Sequence, residues 1–253
     1  MRNLLLLAAL GSPVALAQAI IEVESHTLLR LPATTSVLLV ERLEIADHGT
    51  LLIPAGLTDI RIAELRLGRE ARIAIAPSEQ ALRLDVAAGE IAPGAQITAR
   101  GAPGSVSTPA LPGRTLSIRL ERVVTQTLLV DVRGGRGVPG YAGLDGADGK
   151  AGGCTWGQAS RGHDGQGGGD GHAGAAGGQV RLEVPADFPV DGVQVHLAGG
   201  AGGAAGSGGN AGVGGASTGC WLYSVDGARD GRPGLAGQPG AVGAAGELNV
   251  VRF

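Results

Sequence analysis

Short runs of alternating apolar and polar residues fill the first half of the chain, for example Ile60-Arg61-Ile62. Alternation with a period of two predicts strands that bury one face. Similar residues also recur 22 positions apart, which indicates three short strands and their turns in each repeat. Three of the resulting columns are Ile21, Leu43, Leu65 and Ala87; Leu31, Ile53, Ile75 and Ile97; and Leu38, Ile60 and Leu82.

This constant spacing predicts an all-β fold, a parallel β-solenoid with coils of about 22 residues in which equivalent positions stack. A β-sandwich has similar strands but does not require the spacing. His26 and His48 are then expected to stack at a turn, with Glu70 next in their column. Another turn of each coil lengthens along the chain, from 54–58 and 77–80 to 101–114, and finally to two glycine-rich excursions.

The excursions contain four segments with glycine at every third residue. We name them the first to fourth glycine segments, and their glycines run from 134 to 152, 162 to 177, 200 to 215 and 231 to 246. This period matches the polyglycine II helix, which has no internal hydrogen bonds and must bond to its neighbours. The sequence therefore predicts an inserted bundle of four such helices, with each excursion running out and back. The third segment has the smallest side chains and is expected at the centre.

Collagen-like trimers and a flexible linker are the alternatives for the same glycine pattern. A collagen triple helix is normally rich in proline, whereas the four segments contain only Pro139, Pro233 and Pro239. The glycines of the first and second segments are also out of phase with each other, because Gly134 and Gly162 are 28 residues apart, which is not a multiple of three. Chains rich in glycine are flexible unless other contacts order them. The flexible-linker alternative is therefore excluded only if contacts hold the excursions in one conformation.

The two cysteines indicate order, because each lies at the same distance along its excursion. Cys154 lies 20 residues after Gly134, and Cys220 lies 20 residues after Gly200. A Cys154–Cys220 disulfide is the simplest prediction. A free thiol pair and an intermolecular bridge are the alternatives.

Aromatic residues are only 2% of the chain, and three of them lie close to the cysteines. They are Trp156, Trp221 and Tyr223. Exposed Trp and Tyr are typical binding anchors, so these three are candidate ligand-binding residues. The alternative is that they cover the disulfide as a small cap.

Residues 1–17 have the features of a secretory signal peptide: Arg2, an apolar run at 4–10 and a small-residue site at 15–17. The run is too short for a membrane span, and none follows. The formal net charge of −3 gives no electrostatic case for nucleic acid. The predicted domains are a signal peptide at 1–17, a solenoid base at 18–133, a first excursion at 134–178, a further coil at 179–198, a second excursion at 199–246 and a closing strand at 247–253.

Common catalytic and metal-binding motifs are scarce: the chain has no phosphate loop, H-E-x-x-H or Cys-x-x-Cys. Acidic residues of the base are scattered and are expected to form a solvated face. We therefore predict no enzyme, no catalytic residue, no cofactor and no bound metal.

Composition and spacing at 134–246 resemble the polyglycine II bundles of phage tail-fibre tip adhesins and of the snow flea antifreeze protein, and also bacterial collagen-like surface proteins. The resemblance is architectural, and it implies a rigid bundle that presents a contact surface. The expected function is that of a secreted, periplasmic or cell-surface bacterial structural or adhesive protein, a monomer that binds a surface glycan or protein. The alternatives are a collagen-like fibrous component, which would be trimeric, an ice-binding protein and a carbohydrate-active enzyme.

Overall fold

The computed structural model describes residues 19–33, 35–155 and 157–253. The predicted signal peptide and Trp156 therefore lie outside the described residues. Regular structure is almost entirely β-strand, with one short 3-10 helix at Val190–Gly192. Within the described part of the chain, no helix is long and apolar enough to cross a membrane.

Two parallel sheets, which we call the base, form most of the fold. The seven-stranded sheet contains, in spatial order, β1 (Ala19–Val23), β3 (Val37–Ile45), β5 (Asp59–Leu67), β7 (Leu82–Ile91), β9 (Leu116–Thr125), β11 (Val180–Val184) and β15 (Leu248–Arg252). The six-stranded sheet contains β12 (Val193–His196), β10 (Leu128–Asp131), β8 (Ala95–Thr98), β6 (Arg72–Ile75), β4 (Thr50–Ile53) and β2 (Leu28–Arg30). As far as β12, successive strands alternate between the two sheets.

Aliphatic side chains stack in columns between the sheets and form the core. One column follows the strand register from Leu38 through Ile60 and Leu84 to Ile118. The seven-stranded sheet is built from strands of up to ten residues, and pairing skips one residue at Ala63, where the pattern of buried positions changes phase. Each repeat of the base therefore has two strands, the longer one bent, where the sequence indicated three.

The predicted 22-residue spacing is correct between β3 and β5 but wrong for the next pair. Leu65 pairs with Gly89, not with Ala87, because the register between β5 and β7 advances by 24 residues. The last members of the three predicted columns are therefore misplaced: Gly89 takes the place of Ala87, Leu84 takes the place of Leu82, and Ile97 continues the column of Ile73. The two extra residues lie in the turn between β6 and β7, where the chain can lengthen without disturbing the strands that stack on either side.

The glycine segments leave the six-stranded sheet and return to the seven-stranded sheet. The first begins after β10 and the third after β12, while the second leads into β11 and the fourth into β15. The parallel pairing of β10 with β12 continues without a break into the segments, since Val132 N donates to His196 O and Gly134 N donates to Ala198 O. The register of the base thus sets the register of the first and third segments.

Backbone hydrogen bonds join the four glycine segments at every third residue. The first segment donates to the third, and the second donates to the fourth, in parallel pairs. The second donates to the first, the third to the second and the fourth to the third, in antiparallel pairs. The N···O distances in these ladders are 2.7 to 3.1 Å.

The second and third segments lie at the centre of this arrangement, because each bonds to the other three. In the third segment every glycine of the period is buried, whereas those of the fourth are only partly buried. A Cβ at Gly206 would overlap the carbonyl oxygen of Tyr141, and one at Gly209 would overlap that of Leu144. Only glycine permits this approach between backbones. The expected centre at the third segment is therefore shared with the second.

Aspartates that precede a glycine of the period bridge neighbouring segments. Asp145 and Asp148 accept hydrogen bonds from the backbone N–H groups of Asn210 and Val213, at 2.6 and 2.7 Å. The other aspartates that accept a backbone N–H of the adjacent segment are Asp164, Asp170 and Asp230. Each carboxylate satisfies a donor that points sideways from a segment, a need that follows from the lack of internal hydrogen bonds.

Candidate functional site

A two-stranded antiparallel hairpin lies at the far end of the second excursion. It pairs β13 (Thr218–Gly219) with β14 (Ser224–Val225), and Cys220 N donates to Tyr223 O at 2.7 Å to close the turn. We call this hairpin, with the adjacent end of the first excursion, the tip. Its turn contains Trp221 and Leu222 at the two central positions.

Three contacts fix the hairpin to the first excursion. Cys154 and Cys220 form a disulfide, with their Cα atoms 5.6 Å apart, and no described cysteine is free. Thr218 Oγ1 donates to Gly152 O at 2.6 Å, and the hydroxyl of Tyr223 donates to the carbonyl oxygen of Cys154. The predicted disulfide is confirmed, and it joins the two excursions where the sequence placed it.

The aromatic residues of the tip differ in their exposure. Trp221 is 95% exposed and Leu222 is 83% exposed, so neither side chain packs over the disulfide. Tyr223 is 54% exposed, and its hydroxyl donates a hydrogen bond to the carbonyl oxygen of Cys154. Trp156 lies outside the described residues. For Trp221 the structure contradicts the cap interpretation, because a side chain that covers a disulfide loses most of its own exposed area.

An open groove lies beside the hairpin, between the two excursions. It is lined by residues 153, 155 and 157–159 of the first excursion and by residues 223–228 of the second, which include Tyr223 and Val225. Its polar side chains are Thr155, Gln158, Ser224 and Asp226. These four residues are not predicted from the sequence, since single polar residues in a loop carry no spacing signal. The only available signal was their proximity to the cysteines in the sequence.

Five carboxylates on the outer face of the seven-stranded sheet form ion pairs with arginines. The pairs are Asp59 with Arg61, Glu64 with Arg42 and Arg66, Asp85 with Arg83, Glu121 with Arg119, and Glu183 with Arg119 and Arg181. Hydrogen bonds from Arg42 lower the pKa of Glu64. Those from Arg181 do the same for Glu183. A general acid for glycoside chemistry needs a raised pKa, so these two residues are unsuited to that role.

The histidine column lies at a turn of the base, as predicted. The rings of His26 and His48 stack with centroids 4.7 Å apart, and His48 Nδ1 lies 3.4 Å from Glu70 Oε2. These three residues have positive φ angles of 53° to 59°, and Gly94 occupies the next turn with φ of 79°. The column is thus a repeated left-handed turn. Among the described residues, no cluster of three or more metal-ligating side chains is present.

Two buried charged side chains lie where the base meets the excursions. Arg114 is fully buried, and its guanidinium donates to the carbonyl oxygens of Gln80 (2.7 Å), Ala76 and Leu57. Burial lowers the pKa of Arg114. These carbonyls belong to turns in successive repeats, so one side chain holds several turns together. In the sequence, Arg114 ends the lengthened turn at 101–114, and no pattern there indicates this role.

Asp131, at the end of β10, is the second buried charge, and it is 4% exposed. Burial alone would raise the pKa of Asp131, but hydrogen bonds from the side chain and backbone of Arg133 outweigh it and keep the pKa below its ordinary value. The Arg133 Nη2 to Asp131 Oδ2 distance is 2.7 Å. This pair fixes the start of the first glycine segment.

Comparison with known protein families, with curated proteins and with solved structures finds no match to this chain. Function is therefore inferred from the geometry of the tip and of the segments that carry it.

Proposed function

We propose that the protein is a secreted or cell-surface structural and adhesive protein. A parallel β-solenoid base holds four polyglycine II helices, and these helices present the disulfide-closed tip to a surface glycan or protein. The base sets the register, the helices act as a rigid spacer and the tip makes the contact.

The alternation of strands between two parallel sheets supports the solenoid. In that architecture each coil adds one strand to each sheet, and equivalent residues stack in columns. The register of β3, β5, β7 and β9 follows this rule through Leu38, Ile60, Leu84 and Ile118. Coils of 22 and 24 residues fit equally well, because the added length lies in a turn.

Hydrogen bonding at every third residue supports the polyglycine II helices. That conformation has three residues per turn, so one backbone N–H in three faces a given neighbour. The ladders from the first segment to the third and from the third to the second have this spacing. Burial also repeats every third residue in the third segment.

The exposure of Trp221 is the observation that carries the adhesive function. A tryptophan that is 95% exposed on a turn fixed by a disulfide gains nothing from packing within the chain. Tryptophan is among the commonest hot-spot residues of binding surfaces, and fixing it in advance lowers the entropy cost of binding. A disulfide is also typical of proteins in oxidising, extracytoplasmic compartments.

Satisfaction of the glycine N–H groups within one chain favours a monomer over a collagen-like fibre. A collagen triple helix needs three parallel chains, whereas three of the five ladders here are antiparallel. Analytical ultracentrifugation tests this point, and we expect the mass of a single chain. A trimer would overturn the monomeric bundle and support the fibrous alternative.

Attachment to arrays of glycans and surface proteins tests the adhesive function. We expect the full chain to bind a subset of the array and Trp221→Ala to lose that binding with little change in melting temperature. Val106→Ala is the matched control, because Val106 is 92% exposed on a different loop. Equal binding by wild type and Trp221→Ala would contradict attachment through the tip, and a large loss of stability in Trp221→Ala would indicate a packing role.

A further inference from the structure

The groove beside the tip hairpin has the chemistry of a saccharide site, and we propose that it binds a neutral glycan. This inference rests on the proposed function, because it assigns a ligand class to the same tip. Ligand sites are usually concave, with one apolar face and a few polar groups that fix orientation. Here Tyr223 supplies the face, and Thr155, Gln158, Ser224 and Asp226 supply the polar groups.

Tyr223 is held in advance of binding. Its hydroxyl donates to Cys154 O, and its neighbours along the chain are Ser224 in β14 and the turn closed by Cys220 N. Tyr223 is nevertheless 54% exposed and lines the groove. A fixed, exposed aromatic face suits the apolar C–H face of a sugar ring, and little side-chain entropy is lost on binding.

The polar side chains of the groove match hydroxyl groups. The carboxylate of Asp226 has two acceptor oxygens and can accept from two neighbouring hydroxyls, while Gln158 both donates and accepts. Thr155 and Ser224 add hydroxyls that work in either direction. These groups recognise a ligand that is itself rich in paired donors and acceptors, as a saccharide is.

The charge of the groove excludes acidic ligands. Asp226 is the only charged side chain among the described residues that line it, and no arginine, lysine or histidine is present there. A carboxylated, sulfated or phosphorylated ligand would bring a second negative charge beside Asp226 without a cation to balance it. The site is therefore specific for neutral glycans.

The test measures binding of the full-length disulfide-bonded chain to immobilised neutral glycans and to their sialylated and sulfated counterparts. We expect neutral glycans to be retained at least about tenfold better. Tyr223→Ala should weaken binding by about tenfold or more, since the stacking face is removed. Tyr223→Phe keeps the ring and should retain most of the binding. Mass spectrometry of each variant, with and without reduction, verifies that the disulfide has formed.

Asp226→Asn tests the role of the charge separately, because the substitution removes the negative charge of the side chain and keeps its shape. We expect weaker binding of neutral glycans and a smaller preference for them over acidic ones. Unchanged binding in Tyr223→Ala and Asp226→Asn, together with loss in Trp221→Ala, would overturn the groove as the site while leaving adhesion through the tip intact. Preferential binding of acidic glycans by wild type would overturn the neutral specificity. Absence of attachment to any glycan or surface protein would remove the proposed function itself.

Discussion

The base and the glycine segments are two parts of one chain that stabilise their backbones in different ways. Among the described residues, every buried apolar side chain lies between Val23 and Val132 or between Val180 and Phe188. The glycine segments contribute none. Their main contacts are backbone hydrogen bonds and close approaches between backbones at every third residue, to which aspartate carboxylates add bonds to backbone N–H groups. Side-chain burial therefore stabilises the base, whereas hydrogen bonds and close approach stabilise the segments.

The difference also explains how the two parts depend on each other. The backbone hydrogen bonds of the glycine segments run between segments, so each segment depends on its neighbours to satisfy its N–H and C=O groups. The base places the starts of the first and third segments side by side by continuing the pairing of β10 with β12. At the other end, the Cys154–Cys220 disulfide joins the two excursions. The segments are thus fixed at both ends and need no hydrophobic core.

Removal of the disulfide should have the largest effect, and it should be confined to the segments. The chain-entropy estimate for a loop of this length is about 4 kcal/mol. In the double variant Cys154→Ala/Cys220→Ala we expect faster amide hydrogen exchange in the distal halves of the glycine segments, with exchange in β3, β5 and β7 unchanged. Loss of protection in those strands to the same degree would show that the base and the segments unfold as one unit.

Replacement of Arg114 should be the largest single change in the base. Arg114→Met removes the guanidinium that donates to the carbonyls of Leu57, Ala76 and Gln80, of which the bond to Leu57 is buried and the other two are partly buried. We expect a loss of about 3 kcal/mol in the free energy of unfolding, measured by denaturant titration. Arg114→Lys should recover little, since one ammonium cannot reach all three carbonyl oxygens.

Arg122→Met is the control for that change, because Arg122 is exposed and lies in β9, the strand that comes directly after Arg114 in the chain. It should be nearly neutral. One ordinary hydrogen bond contributes about 1 kcal/mol to stability. If Arg114→Met lowers the free energy of unfolding by less than that, the turns are held by their own backbone geometry and not by Arg114.

Features that repeat locally along the chain could be predicted from the sequence, whereas features that depend on contacts between distant residues could not. Periodicity identified the strands and the four glycine segments, because a repeat of two or three residues reflects a local backbone geometry. The Cys154–Cys220 pair followed from the equal distance of 20 residues between each cysteine and the first glycine of its excursion. Periodicity failed at the turn after β6, where two added residues shifted Leu84 into the place given to Leu82. Turn length is set by contacts such as those of Arg114, which join residues far apart in sequence.

The tip shows the same limit. The sequence indicated Trp221 and Tyr223 as candidates but left binding and packing open, because exposure depends on the fold around a residue. Thr155, Gln158 and Asp226 were not predicted at all, since the groove exists only after the disulfide brings the two excursions together.

Adjacent glycines of the second segment test the requirement for glycine. A Cβ at Gly168 would overlap the carbonyl oxygen of Gly206, whereas one at Gly167 would meet only Leu235 O at 3.6 Å. We expect Gly168→Ala to lower the free energy of unfolding by about 2 kcal/mol, as overpacking does. Gly167→Ala should be neutral or slightly stabilising, because alanine reduces the entropy of the unfolded chain. Similar melting temperatures for the two variants would contradict the close backbone packing.

The smallest expected effect is a gain in stability within the core of the base. Thr125 occupies the position that Leu67 and Ile91 hold in preceding repeats, and it is 7% exposed. Among the described residues, its Oγ1 is a buried polar atom without a hydrogen-bond partner. Thr125→Val removes that hydroxyl at nearly constant volume and should stabilise the protein by about 1 kcal/mol. Thr125→Ser, which keeps the hydroxyl and loses a methyl group, should destabilise it instead, and a gain in both variants would refute the role of the unpaired hydroxyl.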